Sequence, residues 1–538
     1  MTVSADVDTT ILLTILGVIA AVWALIPQSS RLQFRFCVSW LDWFFGISVL
    51  TLVHYLVFAP TLQKLGLFYS FGPWRWGLNT SSVVYLLLLA IAVYFFWRTR
   101  SPRLVKGKIR IFHDLIENLL FTKRHAELVF YIDPQLSKLI RICRDTPWLV
   151  RVIDRINAPS VDLAALMRSE KPVARRTWRQ NLRKALTALR AWVSKHDDAS
   201  FLARETLQNL VTSPELINYI AVTHPFFALK LLKADEAIRS DFIEECVDAM
   251  LETPGSRLYV ELKNNRNLNR GSRLALPESN RLLRHFFANA TDAVNNGLYQ
   301  AIGDAVFRRL DEDSKLAIKL NKELGSYSDS GRFRCPINSG ITMFEIMVHE
   351  GIHQGLQDHM WLHYFRHFVQ KIIKQMPSTP VEDSLNEWPT PFHYLLYRLI
   401  SITSDWSLQS SFVDDSEIPE TTKNIKNFDR HFISKEATKS LGDMLQIIIP
   451  SEKISDSFKR YLLSSVLRSH NELQATNGLG SIAGSLRNSV IRGVGIQTRC
   501  AYRAELMSHF QRLDHRLRME ANLFESDLLN SISECLTN

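Results

Sequence analysis

Residues 341–375 read ITMFEIMVHEGIHQGLQDHMWLHYFRHFVQKIIKQ. Apolar residues recur here at three- and four-residue spacing, which predicts one long helix. Five of the 16 histidines fall within it: His349, His353, His359, His363 and His367. At about 100° per residue they occupy an arc of about 120° on one face. Such a stripe is either the chemistry of the protein or a polar seam in a helical assembly.

The same 3.6-residue period runs outward from this stretch over most of the chain from Arg98 onward. Lys108–Lys123, for instance, sets Ile109, Phe112, Leu115, Ile116 and Leu119 on one side of a helix. Runs suited to strands occur only at Leu128–Ile132, Leu258–Leu262 and Ile447–Ile449, too few for a large sheet. No βαβ alternation, internal repeat or low-complexity tract is present. The expected fold class is mostly α: three N-terminal transmembrane helices followed by a large α-helical cytosolic domain. Residues 98–198 form a basic membrane-proximal region in this reading. Residues 199–538 form a sensor or assembly domain, with a possible subdivision near 326–339.

The membrane expectation rests on three apolar runs, Thr10–Ile26, Phe36–Ala59 and Ser81–Trp97. Each approaches the ~20 residues that cross a bilayer. The leader Met1–Thr9 carries Asp6 and Asp8 and no basic residue, unlike a signal peptide. Arg31 and Arg35 follow the first run, and Arg98, Arg100, Arg103, Lys106, Lys108 and Arg110 follow the third. The positive-inside rule then places the N-terminus outside and everything after Arg98 in the cytosol. Trp74, Arg75 and Trp76 would anchor the outer interface. Thr10, Thr14, Gly17 and Ala21 form a small-residue stripe for helix packing. Asp42, Ser48, Thr51 and His54 are the polar positions of the second span, candidates to line a path. Asp42 could instead pair with Arg35 or Arg31. Three spans cannot enclose a pore alone, so conduction requires a homo-oligomer.

The net charge of +10 favours anionic partners such as nucleic acid, nucleotides or lipid headgroups. Two basic stretches are candidate ligand-binding regions. The first holds Arg175, Arg179 and Arg183. The second, Lys263–Arg273, carries Lys263, Arg266, Asn267, Arg270 and Arg273, whose forked donors suit phosphate. A third, Arg487–Arg503, follows glycines at 478, 480 and 484 that read as a flexible connection. The six cysteines are scattered without a C-x-x-C, which argues against a disulfide framework or a cysteine zinc site and fits reducing surroundings.

His349-Glu350-Gly351-Ile352-His353 has the H-E-x-x-H spacing and resembles the zincin metallopeptidases. Histidines four apart share a helix face and can bind one zinc, with the glutamate activating its water. The resemblance implies His349 and His353 as ligands, Glu350 as base and His359 as third ligand. Leu356 stands where the metzincin pattern has glycine, and Gly355 is one residue early. His349, His353 and Gly355 also match the H-x-x-x-H-x-G of DinB-like helical bundles.

The overall layout, N-terminal spans before a long basic helical region, resembles the membrane effectors of bacterial antiphage defence, most nearly the channel protein of the Hailong system. That resemblance implies a bacterial inner-membrane ion channel or pore-forming toxin, gated by a nucleic-acid oligomer or nucleotide that a partner nucleotidyltransferase makes. It implies no resident cofactor. The alternatives are an integral-membrane zinc peptidase and a membrane-tethered scaffold.

Overall fold

Helices make up nearly all the regular structure, and no strand occurs among the described residues of the computed structural model. Those residues are 28–67, 80–100, 104–144, 186–187, 198–232, 239–265, 276–381, 387–494 and 497–537. Leu128–Ile132 and Leu258–Leu262 are helical, and Ile447–Ile449 runs over the last turn of a helix into its C-cap, because three to five mostly apolar residues cannot by themselves distinguish a strand from one turn of a buried helix. The chain divides into two compact units, Met1–Ser213 and Pro214–Asn538.

The described helices of the first unit are α1 (Gln28–Cys37), α2 (Trp40–Val57), α3 (Ala59–Lys64), α4 (Thr80–Arg100), α5 (Ile109–Phe121), α6 (His125–Ile132), α7 (Leu136–Arg144) and α8 (Asp198–Thr212). The predicted run Phe36–Ala59 is not one helix. Phe36 and Cys37 close α1, and Ser39 in extended conformation caps the start of α2. The cap is a reciprocal box: the Ser39 hydroxyl accepts from the Asp42 backbone N–H, and the Asp42 carboxylate accepts from that of Ser39. α2 packs along α4, with Gly46 letting the Phe95 ring come close.

Two described helices, rather than three, are long and apolar enough to cross a membrane: α2, and α4 over Ser82–Thr99. Thr10–Ile26 lies outside the described residues, with its stripe from Thr10 to Ala21, as do Trp74, Arg75 and Trp76.

α5 shows the amphipathic pattern the sequence predicts, and Ile109, Phe112, Leu115, Ile116 and Leu119 are all buried. The Phe112 ring rests on that of Phe36, 5.1 Å between centroids. Lys108, just before α5, donates from Nζ to the carbonyls of Phe36 (2.7 Å) and Val38 (2.9 Å), satisfying the end of α1. Burial pulls the Lys108 ammonium below its usual value. α8 packs on α5 and α7, and the buried His113 meets Thr206 at 3.0 Å.

The described helices of the second unit are α9 (Pro214–Thr223), α10 (Pro225–Leu231), α11 (Arg239–Glu252), α12 (Arg257–Asn264), α13 (Arg281–Phe287), α14 (Ala290–Asn295), α15 (Leu298–Glu312), α16 (Ser314–Leu320), α17 (Pro336–His353), α18 (His363–Gln375), α19 (Pro391–Gln409), α20 (Glu420–Lys423), α21 (Phe432–Ile448), α22 (Asp456–Ala475), α23 (Gly480–Arg492), α24 (Cys500–Gln511), α25 (His515–Glu520) and α26 (Asn522–Thr537). α17 is the centre. Fifteen of its 18 residues are buried, and α11, α12, α14, α15, α19 and α21 surround it. Nearly every side of it faces protein, including the face that carries Asn338, Thr342, Glu345, His349 and His353.

The histidine stretch is not one helix. α17 ends at His353, and α18 begins at His363 after a 3₁₀ turn. Gly355 adopts φ +68°, and the Leu356 N–H reaches the Gly351 carbonyl while that of Gly355 reaches Ile352. This pattern is a Schellman termination, which needs the left-handed residue that glycine supplies most cheaply. The glycine-rich run before Arg487 is likewise ordered, with Gly480 and Gly484 inside α23. Cys500 and Cys535 form a disulfide, tying α24 to α26 where the sequence reading expects no disulfide framework. Cysteines 35 residues apart in sequence carry no recognisable spacing, so only the packing of the two helices reveals the pair.

Candidate functional site

The last turn of α17 places His349 and His353 face to face. Their rings stack with centroids 4.7 Å apart and planes inclined by 29°. Both are buried, as is Glu350. The Gln409 amide lies 3.0 Å from His353 Nε2 and can only donate, so Nε2 accepts and the ring proton sits on Nδ1. Nδ1 in turn donates to Glu417 at 2.8 Å. An imidazole oriented by a carboxylate is how a protein prepares a metal ligand, but here the Gln409 amide occupies the nitrogen that would bind. Holding an ion at Nε2 would require the amide to leave.

Glu350 accepts from the Gln354 side chain at 3.0 Å. Gln354 also donates to the Ala288 carbonyl and accepts from the Ala290 N–H, fastening the end of α17 to the start of α14. The break at Gly355 takes His359 elsewhere. Its neighbours include Glu436 at 3.9 Å and the rings of Phe432 and His363. The five histidines therefore do not share a face. His367 lies further along α18, against Phe307 and Gln370.

The polar positions of α2 serve the helix itself. Asp42 lies in its first turn, where its carboxylate accepts from Arg98 Nε at 2.9 Å and from Tyr94 OH at 2.6 Å, both on α4. Its ionic partner is thus Arg98, not Arg31 or Arg35. Ser48 and Thr51 are exposed and donate to the carbonyls of Phe44 and Ile47 one turn back. The His54 ring lies 5.6 Å from that of Phe58, tilted by 34°.

Of the basic candidates, Arg175, Arg179 and Arg183 lie outside the described residues, as do Arg266, Asn267, Arg270 and Arg273. Lys263 is exposed on the last turn of α12. Beside it, Asn265 is buried in the wall of a cavity of about 230 Å³. That cavity also holds residues the sequence reading passed over: Arg332, Asn338, Glu345 and Arg398. Arg398 on α19 pairs with Glu345 on α17 at 2.5 Å. Burial works against its charge, but Glu345 and the neighbouring tyrosines outweigh that and raise its pKa. Arg332 donates to Tyr394 OH at 2.7 Å. The available signal was Asn338-Ser339 at the head of an otherwise apolar helix, just after Arg332 and Arg334.

Arg487, Arg492 and Arg503 hold the C-terminal helix. Arg487 pairs with Asp527, Arg492 grips Glu534 with two nitrogens, and the buried Arg503 donates to the Ser531 carbonyl. Comparison with protein-family models, with curated proteins and with solved structures finds no match to this chain.

Proposed function

We propose that this protein is an oligomeric membrane effector of bacterial antiphage defence, an ion channel or pore-forming toxin whose helical second unit takes up an anionic ligand. The observation that carries the reading is the exposure of α2 and α4. Only 22% of the apolar window of α2 and 6% of that of α4 is buried, whereas the core helix of a soluble protein is mostly buried. Trp40, Leu41, Phe44, Ile47, Val93 and Phe96 stand outward. An apolar surface of this extent suits a bilayer and not water. In lipid each hydroxyl must find a partner within the protein, and Ser48 and Thr51 do so on their own helix.

In this reading the spans lie in the inner membrane with the N-terminus outside, Thr10–Ile26 supplies a third span, and several copies together line the path. The ligand is a nucleotide or nucleic-acid oligomer made by a partner nucleotidyltransferase. Induced expression beside a membrane-potential dye tests the reading, with Glu350→Gln as the comparison. Depolarisation by both proteins supports the effector. Toxicity lost with Glu350→Gln, while the protein still accumulates, would transfer the function to a zinc peptidase at His349, Glu350 and His353. No effect from either protein leaves a membrane-tethered scaffold.

A further inference from the structure

Arg503 on α24 is a buried cation, only 4% exposed, and its hydrogen bonds among the described residues go to neutral atoms. Nε donates to Thr498 Oγ1 at 2.9 Å. Nη1 donates to the Ser531 carbonyl at 2.8 Å and to Cys535 Sγ at 3.4 Å. Among the described residues no carboxylate pairs with it, because Glu534 is gripped by both terminal nitrogens of Arg492, and Asp527 by Arg487. A buried charge without a counter-ion is costly. The Cys535 sulfur, as half of a disulfide, is a weak and neutral acceptor. As a thiolate it would be the counter-ion that Arg503 lacks.

The other sulfur is also prepared for the reduced state. Cys500 is exposed and is the first residue of α24, a helix of 12 residues. The partial positive charge at that helix end favours a thiolate there. Cys535 is half-buried in the last turn of α26, where a partial charge of about −0.5 opposes a thiolate, but the guanidinium at 3.4 Å carries a full charge of opposite sign. The further charged groups are Arg499 just before Cys500, the Arg492–Glu534 pair of α23 and α26, and Lys459 of α22 paired with Glu505 along α24. Opening the bond does not free α26, since Asp527, Ser531 and Glu534 keep their arginines.

We propose that Cys500–Cys535 is a thiol–disulfide exchange site, opened by a dithiol reductant, and not a permanent staple. A thiolate of the dithiol attacks the exposed Cys500 sulfur. The S–S bond breaks, its electron pair leaves on Cys535, and that thiolate pairs with Arg503. The second thiolate of the dithiol then attacks the mixed disulfide, forms the reductant's own disulfide and releases Cys500. Two electrons pass from the dithiol to the protein, and its two protons go to solvent or to the freed sulfurs. The link between α24 and α26 changes from covalent to ionic. This inference stands apart from the membrane reading and does not fall with it.

The test uses the oxidised full-length protein in detergent at pH 7, without denaturant, and glutathione as the probe thiol. The reaction is stopped with acid and mapped by mass spectrometry. Glutathione is expected on Cys500, with Cys535 freed. Glutathione mainly on Cys535, or a bond that opens only after unfolding, overturns the site. In the reduced native protein, the rate of iodoacetamide reaction at Cys535 is followed against pH. Its midpoint should lie well below the ~8.5 of a free cysteine. A midpoint not below that value, or no reaction at Cys535, also overturns the site. Arg503→Gln should raise the midpoint by about one pH unit or more and Arg503→Lys should largely restore it, whereas an arginine with a merely structural role would leave it unmoved. The two measurements on the unmutated protein decide the matter if the variants do not fold.

Discussion

Asp42 and Arg98 join the two apolar helices at one end, carboxylate Oδ2 to guanidinium Nε at 2.9 Å. The same carboxylate closes the capping box of α2 and takes the Tyr94 hydroxyl. One side chain thus starts a helix and docks its neighbour.

Replacing Asp42 by alanine removes the carboxylate half of the capping box, leaves the Ser39 hydroxyl bond in place, and strands Arg98 and Tyr94. A loss of about 2–3 kcal/mol is expected, because the Ser39 N–H and a charge-assisted partner lose their acceptor together. Denaturant unfolding in detergent measures it. A double-mutant cycle with Arg98→Gln should give a coupling of about 1 kcal/mol or more, since contacting residues do not act additively.

Two glycines on one helix end should respond differently to alanine. At Gly355 a Cβ meets Ile418 at 2.8 Å in a left-handed backbone, so Gly355→Ala should cost about 1–3 kcal/mol. At Gly351 the nearest atom is the tip of Ile433 at 3.3 Å, in an ordinary helical backbone. There the gain in helix propensity, about 1 kcal/mol, offsets the crowding. Gly351→Ala should leave the melting temperature nearly unchanged.

Gly442→Ala should be the more damaging change in α21. The new Cβ would lie 2.5 Å from the backbone carbonyl oxygen of Ser489 on α23, and backbone cannot swing aside. Overpacking of this kind costs about 1–3 kcal/mol or more, and calorimetry of the variant checks it.

His393 is fully buried against Phe458 and beside Thr390. Burial lowers its pKa to about 4. Well above pH 7 it is neutral whether folded or unfolded and contributes no pH dependence. Below about pH 6.5 the unfolded chain takes up a proton that the folded protein refuses until pH 4. Stability therefore falls between those values, by about 3 kcal/mol in all. Burial lowers His431, His470 and His509 in the same direction. His393→Gln should flatten the acid limb of a plot of melting temperature against pH without abolishing it.

The disulfide makes a countable prediction. Alkylation of the denatured, unreduced protein should modify four thiols, those of Cys37, Cys143, Cys246 and Cys335, and all six after reduction. With its cysteines 35 positions apart in sequence, the Cys500–Cys535 link should contribute about 3–4 kcal/mol through loop closure. Cys535→Ser should lower the melting temperature accordingly.

Much of the helical architecture was legible because burial on one side leaves a period, as in α5. In α17 the spacing still marks a helix, but with fifteen of its 18 residues buried it does not say which face meets the core. The end of α17 was harder to place. Leu356 and Met360 continue the stripe past Gly355, so the pattern predicts a helix that the backbone abandons. Asp42 stood out as a charge in an apolar run, but its partner lies 56 positions later and no local spacing selects Arg98 over Arg35. Arg332 and Arg398 are 66 positions apart, on either side of α17 and α18. Only the packing of α17 on α19 brings them to one cavity.

Lys108 carries a mechanical consequence. By gripping the Phe36 and Val38 carbonyls it pins the head of α5 to the residue before Ser39, whose box with Asp42 leads to Arg98. Lys108, Ser39, Asp42 and Arg98 form a single hinge-pin at which three helices meet. The Lys108 bonds are thus the link through which a displacement of the head of α5 would reach the start of α2 and, through Asp42, the end of α4.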